Sequence, residues 1–255
     1  MEFLFHLPFW LAVLQIITID ILLGGDNAVV IALACRKLPA KQRTKGILWG
    51  TAGAIVLRVI LIFFALTLLS IPFLKLLGAI LLLWIGIKLL LPEESDSHTT
   101  LESSEKLWGA VKTVIIADFV MSLDNVIAIA GAAQGAGEEH QMVLVIFGLL
   151  VSIPIIVWGS QMVVRLMDRF PIVITLGGML LGWIAGGMFV TDPFLATFVA
   201  DRFGIITSAK MVTYTAAIIG AFFVLIGGKL LVAWKARGAG PLPGKDAITD
   251  GEERE

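Results

Sequence analysis

The sequence is poor in nearly everything a water-soluble protein depends on. Charged residues fill only 15% of its 255 positions and hydrophobic ones 58%, so water cannot be the solvent for most of the surface and a polytopic membrane protein is expected. There is one cysteine, Cys35, which excludes an intrachain disulfide and a thiolate metal cluster. Lying at the end of an apolar run, it is expected to be a buried packing residue. The three histidines, His6, His98 and His140, fall at helix ends or in loops, which leaves no imidazole set for zinc or copper inside an apolar segment. The net charge of −1, with basic residues spread over short loops, excludes a nucleic-acid partner. No phosphate-binding loop or nucleotide fold is visible, which argues against an ATP-driven pump. The first apolar stretch is too long, and lacks the basic leading region, to be a cleaved signal peptide, so it is expected to remain as a helix.

What is abundant is apolar sequence in long runs. With about 20 residues needed per crossing, the expected spans are Leu7–Ala34, Gly46–Leu69, Phe73–Leu91, Leu107–Ala133, Met142–Leu166, Ile172–Val190 and Met211–Trp234. This is an all-α polytopic fold of seven transmembrane helices. Arg36, Lys37, Lys41, Arg43 and Lys45 follow the first span, and Lys106, Lys112, Arg165, Arg169, Lys235 and Arg237 recur on the same side, against Lys75, Arg202 and Lys210 opposite. The positive-inside rule makes the richer side cytoplasmic, with the N-terminus outside and the C-terminus inside.

Two of the spans contain what an apolar run should exclude. Asp20-Ile21-Leu22-Leu23-Gly24-Gly25-Asp26-Asn27 recurs, at an offset of 98, as Asp118-Phe119-Val120-Met121-Ser122-Leu123-Asp124-Asn125. An ionised Asp at the centre of a span costs about 2.5 to 3.5 kcal/mol, so each copy demands a reason. The likeness continues: Gly50 falls on Gly148, then Pro72 on Pro171, Gly78 on Gly177 and Trp84 on Trp183 after one inserted residue. Each copy is three helices, and an odd number of crossings inverts the second copy in the membrane, as in many secondary transporters. The expected organisation is a first repeat over 1–91, a cytoplasmic acidic linker over 92–106, a second repeat over 107–190, an outer loop over 191–210, a seventh helix over 211–235 and a disordered cytoplasmic tail over 236–255.

On a regular helix, residues four and seven apart share a face. Asp20, Gly24 and Asn27 form one stripe and Asp118, Ser122 and Asn125 another, each reading carboxylate, small residue, amide, with the small residue leaving room for an ion or water. Antiparallel packing about a pseudo-twofold axis is expected to bring Asp20 and Asp118 together near the midplane, with Asp26 displaced toward the cytoplasm and Asp124 outward. Asp26 and Asp124 point about 120° away on an unbroken helix, so Asp26 is expected to join the site only if the backbone unwinds at Gly24-Gly25.

Carboxylate and amide oxygens are hard donors suited to Mg²⁺, Ca²⁺ or Mn²⁺. Cations and protons are expected to compete for the same carboxylates. Arg58, inside the second span, is expected to be a fixed counter-ion for one Asp or else part of a structural ion pair. No cofactor is indicated, because the ligand is the cargo, and the residues do not describe an enzyme. An intramembrane aspartyl protease fails on Leu23, which stands where its G-x-G-D pattern needs glycine, and on the equivalence of the half-sites, since acid and base roles need unequal carboxylates. An exporter of a cationic organic solute such as an amino acid, and a passive cation channel, are the alternatives left open; the first lacks donors for a substrate carboxylate beyond Arg58. Gly178, Gly182 and Gly186 form a ridge expected to pack helix on helix, and Lys88 and Lys229 are expected to snorkel.

The doubled D-x5-D-N motif, the seven spans and the three-helix repeat resemble integral membrane proteins of the TerC type over nearly the whole chain to about Lys235. That resemblance implies a bacterial inner-membrane protein, named for tellurium resistance, whose activity is manganese efflux. It implies Asp20, Asp26, Asn27, Asp118, Asp124 and Asn125 as the ion-pathway residues. The expected partners are a divalent metal ion and the lipid bilayer, and a homo-oligomer is compatible with the sequence.

Overall fold

A computed structural model describes residues 7–64, 71–91, 103–134, 141–203 and 210–238. Among these residues every regular element is a helix: α1 Leu7–Cys35, α2 Ala40–Phe63, α3 Leu74–Leu90, α4 Ser103–Gln134, α5 Gln141–Arg169, α6 Ile172–Val190, α7 Pro193–Phe203 and α8 Lys210–Gly238. Four of them, α2, α5, α6 and α8, are long and apolar enough over their described residues to cross a bilayer. Their outward faces carry Trp49, Phe63, Trp158, Ile172, Phe222 and Trp234, all exposed, the inverse of a water-soluble surface.

Hydropathy located the apolar part of each helix rather than the helix itself. α2 starts at Ala40, directly after Pro39, and not at Gly46, because its first turns are the polar run Lys41-Gln42-Arg43-Thr44-Lys45. Helical propensity and the proline set that boundary, not burial. The same holds for α4, which begins at Ser103 inside the stretch expected to be linker. The remainder of that linker, residues 135–140 and the tail beyond Gly238 lie outside the described residues, as does the expected end of the second span.

The stretch 191–210, expected to be a loop, contains a helix. Asp192 sits at its entrance with Pro193 as first helical residue, and Asp192 Oδ1 accepts from the backbone N–H of Phe194 and of Leu195, each at 3.1 Å. Its other oxygen accepts from Leu76 N at 3.3 Å, so one fully buried carboxylate serves the N-terminal turns of both α3 and α7. Just before α3, Phe73 takes a left-handed conformation at φ 61, which costs a non-glycine residue about 1 to 3 kcal/mol. Its ring packs on Phe194 of α7 at 4.3 Å.

Two groups of helices result. α1, α2, α4 and α5 form a four-helix bundle in which α1 packs on α4 and α5, and α2 packs on α4 and α5. α3, α6 and α8 pack together beside it, with α3 also touching α4 and α6 touching α1. In the flanking group, a Cβ placed on Gly182 would overlap the Gly220 carbonyl, and one on Gly186 the Ala216 carbonyl. The glycine ridge therefore permits backbone-to-backbone approach of α6 and α8, while Gly178 accommodates Leu90 of α3. At one end of the molecule basic residues tie these groups together. Arg36 donates to Leu89 O at 2.8 Å and Lys37 to Leu91 O at 2.7 Å, serving carbonyls at the C-terminus of α3 that have no helical partner. Arg43 pairs with Asp168 at 2.6 Å.

Candidate carboxylate site in the four-helix bundle

α2 and α4 run in the same direction, because Gly46 faces Leu107, Gly50 faces Val114 and Gly53 faces Ile115. α1 runs against them, joined to α2 by a connection of four residues. Gly46 also abuts Cys35, so Cys35, Gly46 and Leu107 mark one common level. Counting about 1.5 Å per residue inward from it, Asp26 lies about 13 Å deep, Asp118 about 16 Å and Arg58 about 18 Å, while Asp20 lies about 22 Å and Asp124 about 25 Å deep. By this count Asp26 and Asp118 lie within about 3 Å of one level, and Asp26 is within electrostatic range of Asp118. The order of depths is the one sequence symmetry suggested, Asp118 and Asp20 innermost with Asp26 and Asp124 displaced to opposite sides.

The best-defined part of the site is a closed ring of three side chains. Arg58 Nη2 donates to Asp118 Oδ1 at 2.7 Å, Arg58 Nε donates to Ser122 Oγ at 3.2 Å, and the Ser122 hydroxyl donates to Asp118 Oδ2 at 3.1 Å. The Arg58 and Asp118 side chains are only 3% and 5% exposed. Asp118 and Ser122 meet because four residues on α4 return a side chain to the same face. Arg58 supplies the ion pair that the apolar setting requires. Ser122, expected to leave room, instead completes the ring. In this structure Arg58 forms a buried ion pair with Asp118.

On α1, Asp26 lies half-buried within electrostatic range of both Arg58 and Asp118. The helix is continuous from Leu7 to Cys35, so no unwinding at Gly24-Gly25 is needed to bring Asp26 to the site. Asp26 Oδ1 accepts from the backbone N–H of Asn27 at 2.8 Å. The Asn27 side chain next to it is 3% exposed, and neither its amide oxygen nor its amide nitrogen has a hydrogen-bond partner. A buried polar group without a partner costs about 1 to 3 kcal/mol. Thr51 on α2 repeats this pattern, 1% exposed with an unpartnered hydroxyl. Asn125 on α4 is half-buried. The side chains of Asp20 and Asp124 lie outside the described residues, and among the described residues no three acidic, histidine or cysteine side chains form a metal-holding group.

Sequence reasoning passed over Thr51 and Asp192. Thr51 was signalled only by a hydroxyl in the apolar run Gly50-Thr51-Ala52-Gly53, and Asp192 by the Asp-Pro pair that opens many helices.

An all-helical integral membrane protein with several spanning segments and a buried charged ring at its centre is thereby defined. The chain matches the model of the integral membrane protein TerC family over residues 5–237 and belongs to that family. It is 41% identical over 213 residues to the membrane protein YjbE of Bacillus subtilis, covering 84% of this chain and 94% of the relative. It is 28% identical over 185 residues to YkoY of the same organism, covering 67% of this chain and 57% of YkoY. It is also 28% identical over 195 residues to the inner membrane protein YoaE of Escherichia coli, covering 69% of this chain but only 36% of YoaE. No solved structure matches.

Proposed function

We propose that the protein is a secondary carrier that moves a hard divalent cation, Mn²⁺ before others, out of the cytoplasm, with protons as the counter-flux. The observation that carries this reading is Asn27: a buried amide with both polar atoms unpartnered, adjoining a half-buried carboxylate, Asp26, that lies within electrostatic range of Arg58 and Asp118. An amide oxygen and carboxylates are the donors a hard cation takes, and such a ligand would satisfy what the protein leaves unsatisfied. Manganese, efflux and proton coupling come from the family resemblance.

The same proposal includes seven membrane crossings, two inverted three-helix repeats with α8 as an appendage, and a cytoplasmic placement of the end holding Arg36, Lys37 and Arg43. Its support is the packing pattern. Exchanging α1, α2 and α3 for α4, α5 and α6 turns the α1–α5 contact into the α4–α2 contact and the α3–α4 contact into the α6–α1 contact, as a pseudo-twofold axis in the membrane plane requires.

The test is flux in proteoliposomes. The wild type is expected to move Mn²⁺ in preference to Ca²⁺, Mg²⁺ and lysine, and to respond to a pH gradient. Asp26→Asn and Asp118→Asn are each expected to lose most of it. Lysine flux without metal flux would establish the organic-solute alternative, and metal flux indifferent to both substitutions would remove the site.

A further inference from the structure

Both Asp118 oxygens receive hydrogen bonds from protein groups, Oδ1 from Arg58 and Oδ2 from Ser122. A divalent cation that binds Asp118 directly must therefore share these oxygens with the two donors or displace one of them. A guanidinium held 2.7 Å from the carboxylate would stand next to the incoming cation, and two positive groups at such separation in a site almost closed to water repel strongly. Ser122 is anchored one turn away on the same helix as Asp118, whereas Arg58 reaches from α2 on a long side chain. Arg58 is the partner that can leave. A second carboxylate stands nearby, since Asp26 of α1 lies within electrostatic range of Arg58.

We propose that Arg58 is a tethered competitor for the transported cation: guanidinium and cation take Asp118 in turn, and the return of Arg58 from the α1 side to the Asp118–Ser122 ring expels the cation. This rests on the carrier reading above and adds to it the residue that governs release. Without such a competitor, two carboxylates in a low-dielectric bundle would hold a divalent ion as a neutral, tight complex and turnover would stall. With it, release breaks one set of charge-assisted bonds and forms another. The competitor also sets a threshold for entry, because a monovalent cation offers Asp118 no more charge than Arg58 already does. The device belongs to one half of the molecule, since position 156, which corresponds to Arg58 at the offset of 98, is a buried Ile.

The experiment pairs Mn²⁺ binding to the purified protein in nanodiscs with Mn²⁺ flux in proteoliposomes, for wild type, Arg58→Gln and Arg58→Lys. Arg58→Gln is expected to bind Mn²⁺ about tenfold or more tighter while transporting about tenfold or more slowly, a split that a merely structural ion pair does not produce. Arg58→Lys, which keeps the charge, is expected to stay within about threefold of wild type in affinity. Unchanged or weaker binding in a folded Arg58→Gln protein, or equal tightening in Arg58→Lys, overturns the proposal. Should Arg58→Gln fail to fold, wild type labelled with ¹⁵N-arginine decides the matter. Mn²⁺ is expected to shift guanidinium infrared bands in a difference spectrum that Arg58→Lys lacks, and bands that do not move overturn it. A wild type that neither binds nor moves divalent cations would instead refute the carrier reading itself.

Discussion

Asp118 on α4 and Asn27 on α1 lie at similar depth in the same bundle, and their surroundings treat them in opposite ways. Asp118 carries a charge in an apolar setting and is fully provided for, with a guanidinium on one oxygen and a hydroxyl on the other. Asn27 is neutral, easier to satisfy, and has nothing. Burial alone does not distinguish them, since both are almost inaccessible. The difference is that the charged group could not be left bare in the folded chain, whereas an unpaired amide is a tolerable penalty. A half-site that the protein completes for itself holds the architecture together. The half-site left incomplete is where a ligand gains most.

That contrast predicts a graded series of effects. Asp118→Asn should be the most damaging to folding, because it breaks the buried ion pair with Arg58; a loss of about 3 to 5 kcal/mol is expected, seen as a markedly lower unfolding temperature in detergent without added metal. Ser122→Ala removes one member of the ring and the hydrogen bond from Arg58 Nε, for a loss of about 1 to 3 kcal/mol in the same measurement. If Ser122→Ala were as harmful as Asp118→Asn, hydrogen bonding rather than charge would hold the ring. Asn27→Leu should have the opposite sign, raising metal-free stability by about 1 to 3 kcal/mol while abolishing most Mn²⁺ flux. A destabilised Asn27→Leu protein would mean that the amide has a structural role and would erase the contrast. Thr51→Val is expected to change stability least, by about 1 kcal/mol in the favourable direction, and its effect on Mn²⁺ affinity will tell whether α2 contributes an oxygen to the same path.

Much of the site could be read from the linear chain, and what could not has physical causes. The stripe of Asp118 and Ser122 followed from helical periodicity, and Arg58 stood out as an isolated charge in a run that could not otherwise be buried. The approach of Asp26 to Asp118 was not legible, because two antiparallel helices with identical motifs can be placed in several registers that satisfy the same local pattern. The choice among them is made by contacts such as Gly46 on Cys35 and Gly50 on Val114. The unbroken helix through Gly24-Gly25 was likewise undecided locally, since glycine lowers helix propensity by only about 1 kcal/mol and neighbouring helices outweigh it. α7 was missed because its 11 residues are too few to cross a membrane and too mixed to register as an apolar run; its capping Asp192 was the better signal.

The sequence by itself determined the membrane setting, the helical class, the motif that repeats and the hard-oxygen chemistry of its residues, because all of these depend on residue type and spacing along one chain. The tertiary structure alone decided that Asp26 comes within range of Asp118, that Arg58 pairs with Asp118, and that the Asn27 amide stays without a partner. Those outcomes depend on the axial offset between packed helices, where a shift of one turn, about 5.4 Å, would pair different residues while leaving every local preference unchanged.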